Sequence, residues 1–115
     1  MNIESLRSYC LSLRGVTEDV KWGNDLCFLI GGKMFCVTNL DGEPSVSFKV
    51  SDAEFEELTS LTGIIPAPYM ARNKWIQVQS WDKFIDPQWE NYVKQSYELI
   101  KSKLTKKLQK EIGTS

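Results

Sequence analysis

The chain is 115 residues long, 42% apolar and 25% charged, with a net charge of −1 and no histidine. That balance fits a globular domain able to bury about two-thirds of its unfolded surface. It excludes a disordered chain, a membrane span of roughly 20 apolar residues, and any chemistry resting on a histidine base or ligand.

The N-terminal segment from Ile3 to Arg14 predicts a helix, with Ile3, Leu6, Tyr9, Cys10 and Leu13 on one stripe. Asn2 is placed to cap it and Gly15 to end it. Polar residues at Asn2, Glu4, Ser5 and Arg7 break any signal-peptide pattern. Val16 to Asp19 reads as a turn, with a short strand at Val20 to Trp22. Two apolar runs then flank Gly31-Gly32, the pattern of a β-hairpin with a tight turn. In the first run Leu26, Phe28 and Ile30 face one side and Cys27 and Leu29 the other. In the second, Lys33 to Asn39, Met34 and Cys36 oppose Lys33, Phe35 and Val37.

Asp41-Gly42 marks a further turn before Ser45 to Val50, where Val46, Phe48 and Val50 alternate with Ser45, Ser47 and Lys49. Ser51 and Glu54 form a capping box that opens a helix to about Leu61, stopped at Thr62-Gly63. Pro66 and Pro68 hold the next loop extended. Lys74 to Gln79 predicts a strand with Ile76 and Val78 inward and Trp75, Gln77 and Gln79 outward. Asp86-Pro87 starts a last helix expected to run unbroken to about Gln109. Its stripe is Val93, Tyr97, Ile100, Leu104 and Leu108. From Lys94 to Lys110 there are six lysines against one acid, Glu98, which leaves −6 on the rest of the chain. The pattern is α+β, in the order α-β-β-β-β-α-β-α, as a single domain over residues 1–110 with 111–115 frayed.

Several runs together resemble one family. They are Val20-Lys21-Trp22-Gly23, then Phe28, Gly32-Lys33-Met34-Phe35 and Ser47-Phe48-Lys49. Ile65-Pro66-Ala67-Pro68-Tyr69, Lys74-Trp75 and Ser96-Tyr97-Glu98-Leu99 complete the series. In this order they resemble the MmcQ/YjbR-like proteins. Many of those relatives carry histidine after the Trp-Gly pair, where this chain has Asn24. The resemblance implies a compact two-layer fold, an antiparallel sheet with helices packed on it, similar to the bacterial frataxin (CyaY-like) arrangement. It also implies DNA binding with a double-wing motif.

The candidate nucleic-acid face is Lys33, Lys49 and Trp75, joined by Gln77 and Gln79, with Arg72 and Lys74 at the rim. Lysines and arginine would contact phosphates and Trp75 would supply an apolar or stacking contact. The plain alternative is a solvated sheet face with lysine stems lying over Trp75 and Phe35. A secondary basic patch is Lys103, Lys106, Lys107 and Lys110, which also suits the C-terminal end of a helix dipole. The acids Asp52, Glu54, Glu56 and Glu57 are explained as a helix N-terminus and its polar face rather than as a metal site. Gly31-Gly32 lacks the following helix of a phosphate cradle. Cys10, Cys27 and Cys36 sit in apolar patterns as buried free thiols.

The expectation is a cytoplasmic, monomeric, non-enzymatic protein with no cofactor, no metal and no membrane partner. It would bind DNA, or alternatively serve as a chaperone-like module for a protein or peptide, through the sheet face or a pocket near Pro66 to Tyr69.

Overall fold

The structure is a computed structural model and describes residues 1–113. Its elements are α1 (Ile3–Ser12), β1 (Val16–Lys21), β2 (Asp25–Ile30), β3 (Lys33–Asn39), β4 (Val46–Lys49) and α2 (Asp52–Thr59). These are followed by β5 (Ile64–Pro66), β6 (Trp75–Val78), α3 (Asp86–Lys101) and α4 (Lys106–Ile112). The six strands form one antiparallel sheet in the order β1-β2-β3-β4-β6-β5. The α+β reading and the order of elements hold, with β5 and α4 added.

Register divides the sheet into two faces. Leu26, Thr38, Val46, Val78 and Ile64 line up across the strands on the face that receives the helices, with Phe28, Cys36, Phe48 and Ile76 in the next row. All of these are buried. The other face carries Cys27, Val37, Ser47, Gln77 and Ile65 in one row. Two expected caps form. The Asn2 side chain accepts from Ser5 N at 2.8 Å, and Ser51 and Glu54 close their reciprocal box at 3.2 and 3.1 Å.

Helix α3 is anchored by side chains that reach the sheet and the loops. Trp89 is fully buried, its Nε1 donating to the Trp81 carbonyl at 3.0 Å. Around it stand Phe48, Trp81 and Phe84, with ring centroids at 6.3, 5.4 and 5.1 Å. Tyr97 donates from its hydroxyl to the Arg14 carbonyl at 2.6 Å, tying α3 to the end of α1.

Four sequence expectations are corrected. The turn at Val16 to Asp19 is instead strand, continuous with Val20 and Lys21 and paired residue by residue with Ile30 to Asp25. As an edge strand it is mostly exposed, so it lacks the apolar alternation that marks a strand. Arg7 on α1 clamps it by donating twice to Glu18, at 2.7 and 2.6 Å. The second correction lies in β3. Phe28 pairs with Cys36 but Leu29 with Met34, so Phe35 is a bulged extra residue. The bulge turns Phe35 inward, where it meets Tyr97 edge-on at 5.5 Å.

Third, the last helix is not continuous. It ends at Lys101, and a turn carries Leu104 onto the β2–β3 hairpin, whose Gly31 (φ 58°) has no Cβ to collide with it. Thr105 then caps α4, accepting from Leu108 N at 3.2 Å. Finally, helix continues past Gln109, where the last helical stretch was expected to end. Glu111 and Ile112 complete α4, and Ile112 packs on the core. Residues 114–115 lie outside the described part.

All three cysteines are buried and free. A hydrogen bond with the Cys10 thiol, then burial, pushes Cys36 well above the usual thiol range, and burial pushes Cys27 up as well. Because all three thiols are shut away from solvent, a disulfide-exchange reagent at pH 8 is expected to leave them unmodified in the folded protein. All three react in denaturant. Rapid labelling of any cysteine under native conditions would contradict this packing.

Candidate functional site

The outward face of the sheet is not an open basic platform. Trp75 does point away from the helices, opposite Lys49, but it is only 3% exposed. The loop before β6 folds back over it. Ala67 N donates to the Trp75 carbonyl at 3.0 Å, and Trp75 N donates to Met70 O at 3.4 Å. No ring face is left on which a base can stack. Lys49 lies half-buried beside it, its ammonium donating to the Asn73 carbonyl. Burial, followed by the nearby Lys103 charge, lowers its pKa.

The other candidates spread apart. The β3 bulge puts Lys33 opposite Ile30, hence on the helix side of the hairpin tip, where it is exposed. Lys74 adopts a left-handed backbone (φ 63°) and lays its ammonium 4.9 Å from the Phe55 ring centroid on α2. Arg72 is exposed on the short helical turn Ala71–Asn73. Gln77 sits on the outer face between Ser47 and Ile65. In the secondary patch, Lys103 belongs to the turn after α3 while Lys106, Lys107 and Lys110 ride on α4, all exposed. The break at Thr105 divides what reads as one helical stripe. It also brings Lys103 within electrostatic reach of Lys49, so parts of the two candidate patches meet at one end of the sheet.

What the outer face does hold is a groove of about 610 Å³. Met34, Val37, Ser47 and Gln77 come from the sheet. Ala67, Pro68, Tyr69 and Met70 form the opposing wall, and Trp22 and Asp25 close one end. Trp22 is 70% exposed and Tyr69 fully so. Both aromatics have left-handed backbone, with φ of 51° and 66°. For a bulky L-residue that conformation costs on the order of 1–2 kcal/mol, and strain of this kind collects at functional sites. Trp22 occupies its position because the three-residue turn between the paired Lys21 and Asp25 is too tight for extended backbone. Tyr69 follows Pro66 and Pro68 in the turn that caps Trp75.

Neither aromatic is held by the core, so Tyr69→Gly is expected to leave stability within about 1 kcal/mol of the parent. Relief of the strained φ offsets the extra freedom of glycine in the unfolded chain. Urea denaturation checks this, and a loss above about 2 kcal/mol would show that the ring has a structural role.

The YjbR family model matches residues 11–99, most of the chain. The chain belongs to the YjbR family. A Deinococcus radiodurans protein with a DUF419 domain has a crystal structure similar to this one. The TM-score is 0.88 at 24% identity, covering 99% of this chain and 89% of that one. A Pseudomonas syringae protein has a TM-score of 0.72 at 18% identity, covering 86% of this chain and 98% of its own. At these identities both likenesses establish the fold alone. Comparison with curated proteins returns no significant match.

The runs that resemble YjbR-family proteins converge on the groove. Trp22, Met34, Ser47, Ala67, Pro68 and Tyr69 come from four of them and line a single cleft. Sequence reasoning named a pocket near Pro66 to Tyr69 and placed Gln77 on the outer face, but missed Trp22, Asp25, Met34, Val37, Ser47 and Met70 as its other parts. The usable signal was Trp22 beside Gly23 in a turn. A large aromatic in a tight loop has no core to enter.

Proposed function

We propose that this YjbR-family chain is a binding module rather than an enzyme, and that its groove receives a peptide segment of a partner protein. One observation carries the reading: two exposed aromatics, Trp22 and Tyr69, are held on strained backbone over a partly apolar groove of about 610 Å³. The volume suits a side chain with flanking peptide, within the usual 300–1,000 Å³ of ligand clefts. Ser47 and Gln77 offer hydrogen bonds to a peptide backbone, and Met34 and Met70 supply an adaptable apolar lining. The chain acts as a monomer in the cytoplasm, where unpaired buried cysteines persist.

A second reading, contact with DNA, is favoured by the meeting of Lys49 and Lys103 at the end of the sheet where Lys33 is exposed. Both are tested by titrating ¹⁵N-labelled protein with a capped peptide mixture and, separately, with duplex DNA at about 50 and 200 mM salt. Shifts of the Trp22 indole and the backbone of 67–70 on peptide addition support the groove. Salt-sensitive shifts confined to Lys33, Lys49 and Lys103 to Lys110 on DNA addition support the second reading instead. An unresponsive groove would overturn the first.

A further inference from the structure

Resting on the reading of the groove as a peptide site, we infer that its occupant presents the ammonium group of a lysine side chain. The ammonium would sit against Trp22 and Tyr69 with Asp25 as its counter-ion.

The inference starts from charge. Asp25 is half-buried at the end of the groove closed by Trp22. Its carboxylate makes no ion pair among the described residues, where the ion pairs are those of Asp86 and Glu18. Lys21 lies directly across from it on β1, yet no bridge forms. Asp25 is thus a half-buried carboxylate at the groove end with no ion pair of its own, free to take one from a bound group. It therefore gains from an incoming cation.

The surroundings have the same sign. Asp19 stands on the outer face two residues along β1, opposite Cys27. Asp41 and Glu43 follow β3 at this end of the sheet, Asp41 accepting from the Asn24 amide at 3.0 Å. Four acids thus gather against Lys21, while Lys33, Lys49 and Lys103 lie at the opposite end. A cation is drawn to the Trp22 end and an anion to the other.

The aromatic rims supply the second half of the recognition. A cation within about 6 Å of an indole or phenol face is attracted by the ring quadrupole, and indole is the strongest of the natural faces. Apolar contact from Val37, which stands opposite Cys27 two residues along β2 from Asp25, suits the methylene stem of lysine, which is itself apolar. A small free cation would leave most of the 610 Å³ unfilled, which favours a side chain carried on a peptide.

The test uses the full chain and three probes, followed by calorimetry and by the shift of the Trp22 indole. They are a short capped peptide with one central lysine, the same peptide with uncharged norleucine in its place, and free choline. The lysine peptide is expected to bind about tenfold or more tightly than the norleucine peptide. Asp25→Asn is expected to erase that preference while leaving norleucine-peptide binding intact, which also shows that the variant is folded. Trp22→Leu is expected to weaken the lysine peptide more than the norleucine one. Equal binding of the two peptides would overturn the lysine assignment and leave the groove reading standing. Binding by neither would overturn both. Choline binding as tightly as the lysine peptide would overturn the peptide source.

Discussion

Trp75→Ala is expected to cost about 3–5 kcal/mol of folding stability, whereas Trp22→Ala is expected to change stability by less than about 1 kcal/mol. Both tryptophans lie on the outer side of the sheet. The difference is what covers them. Trp75 is 3% exposed beneath the 67–74 loop, and its backbone holds that loop through Ala67 and Met70. Removing the ring leaves a cavity under a loop whose proline-fixed path limits its collapse. Trp22 is 70% exposed and its loss empties nothing. A domain of this size has a total stability of about 5–15 kcal/mol, so the Trp75 variant is expected to be partly unfolded near 37 °C. Urea denaturation of the two variants decides the matter. Equal, small effects would mean that the 67–74 loop is loose and that Trp75 is available to a ligand after all.

That contrast shows how far the chain could be read without coordinates. Elements whose local chemistry agrees with their tertiary role were legible. The Asn2 and Ser51 caps, the Gly31-Gly32 hairpin and the strict alternation of Val46, Phe48 and Val50 all appear as expected. What was hidden depends on a partner distant in sequence. β1 is polar because it is an edge, and only its pairing with β2 makes it a strand. The β3 bulge inserts one residue and reverses the faces upstream of it, which takes Lys33 off the outer face and sends Phe35 into the core. The α3–α4 break carries a local signal in Thr105, but the continuing stripe of Leu104 and Leu108 conceals it. The candidate site suffered most from this. A period-two reading cannot see a loop fold back over a strand, so Trp75 looked exposed and the groove beside it had no outline.

The bulge also explains a buried polar residue that breaks the apolar face of α3. Ser96 is fully buried, donates from Oγ to the Phe35 carbonyl at 2.6 Å, and accepts from Lys49 N at 2.9 Å. Phe35 is the residue the bulge removes from regular pairing, and Lys49 is the last residue of β4. One hydroxyl thus satisfies an orphaned acceptor and an orphaned donor, and fixes α3 against the strand ends. Ser96→Ala keeps the shape but leaves both backbone groups buried without a partner. At about 1–3 kcal/mol for each of the two unsatisfied groups, the expected loss is roughly 2–6 kcal/mol, large for the removal of one oxygen atom. Hydrogen exchange separates this cause from simple loosening. The Lys49 amide is expected to lose its protection first, ahead of the Phe48 and Ile76 amides in the sheet interior. Uniform loss of protection across the sheet would instead mean that the hydroxyl acts only through global stability.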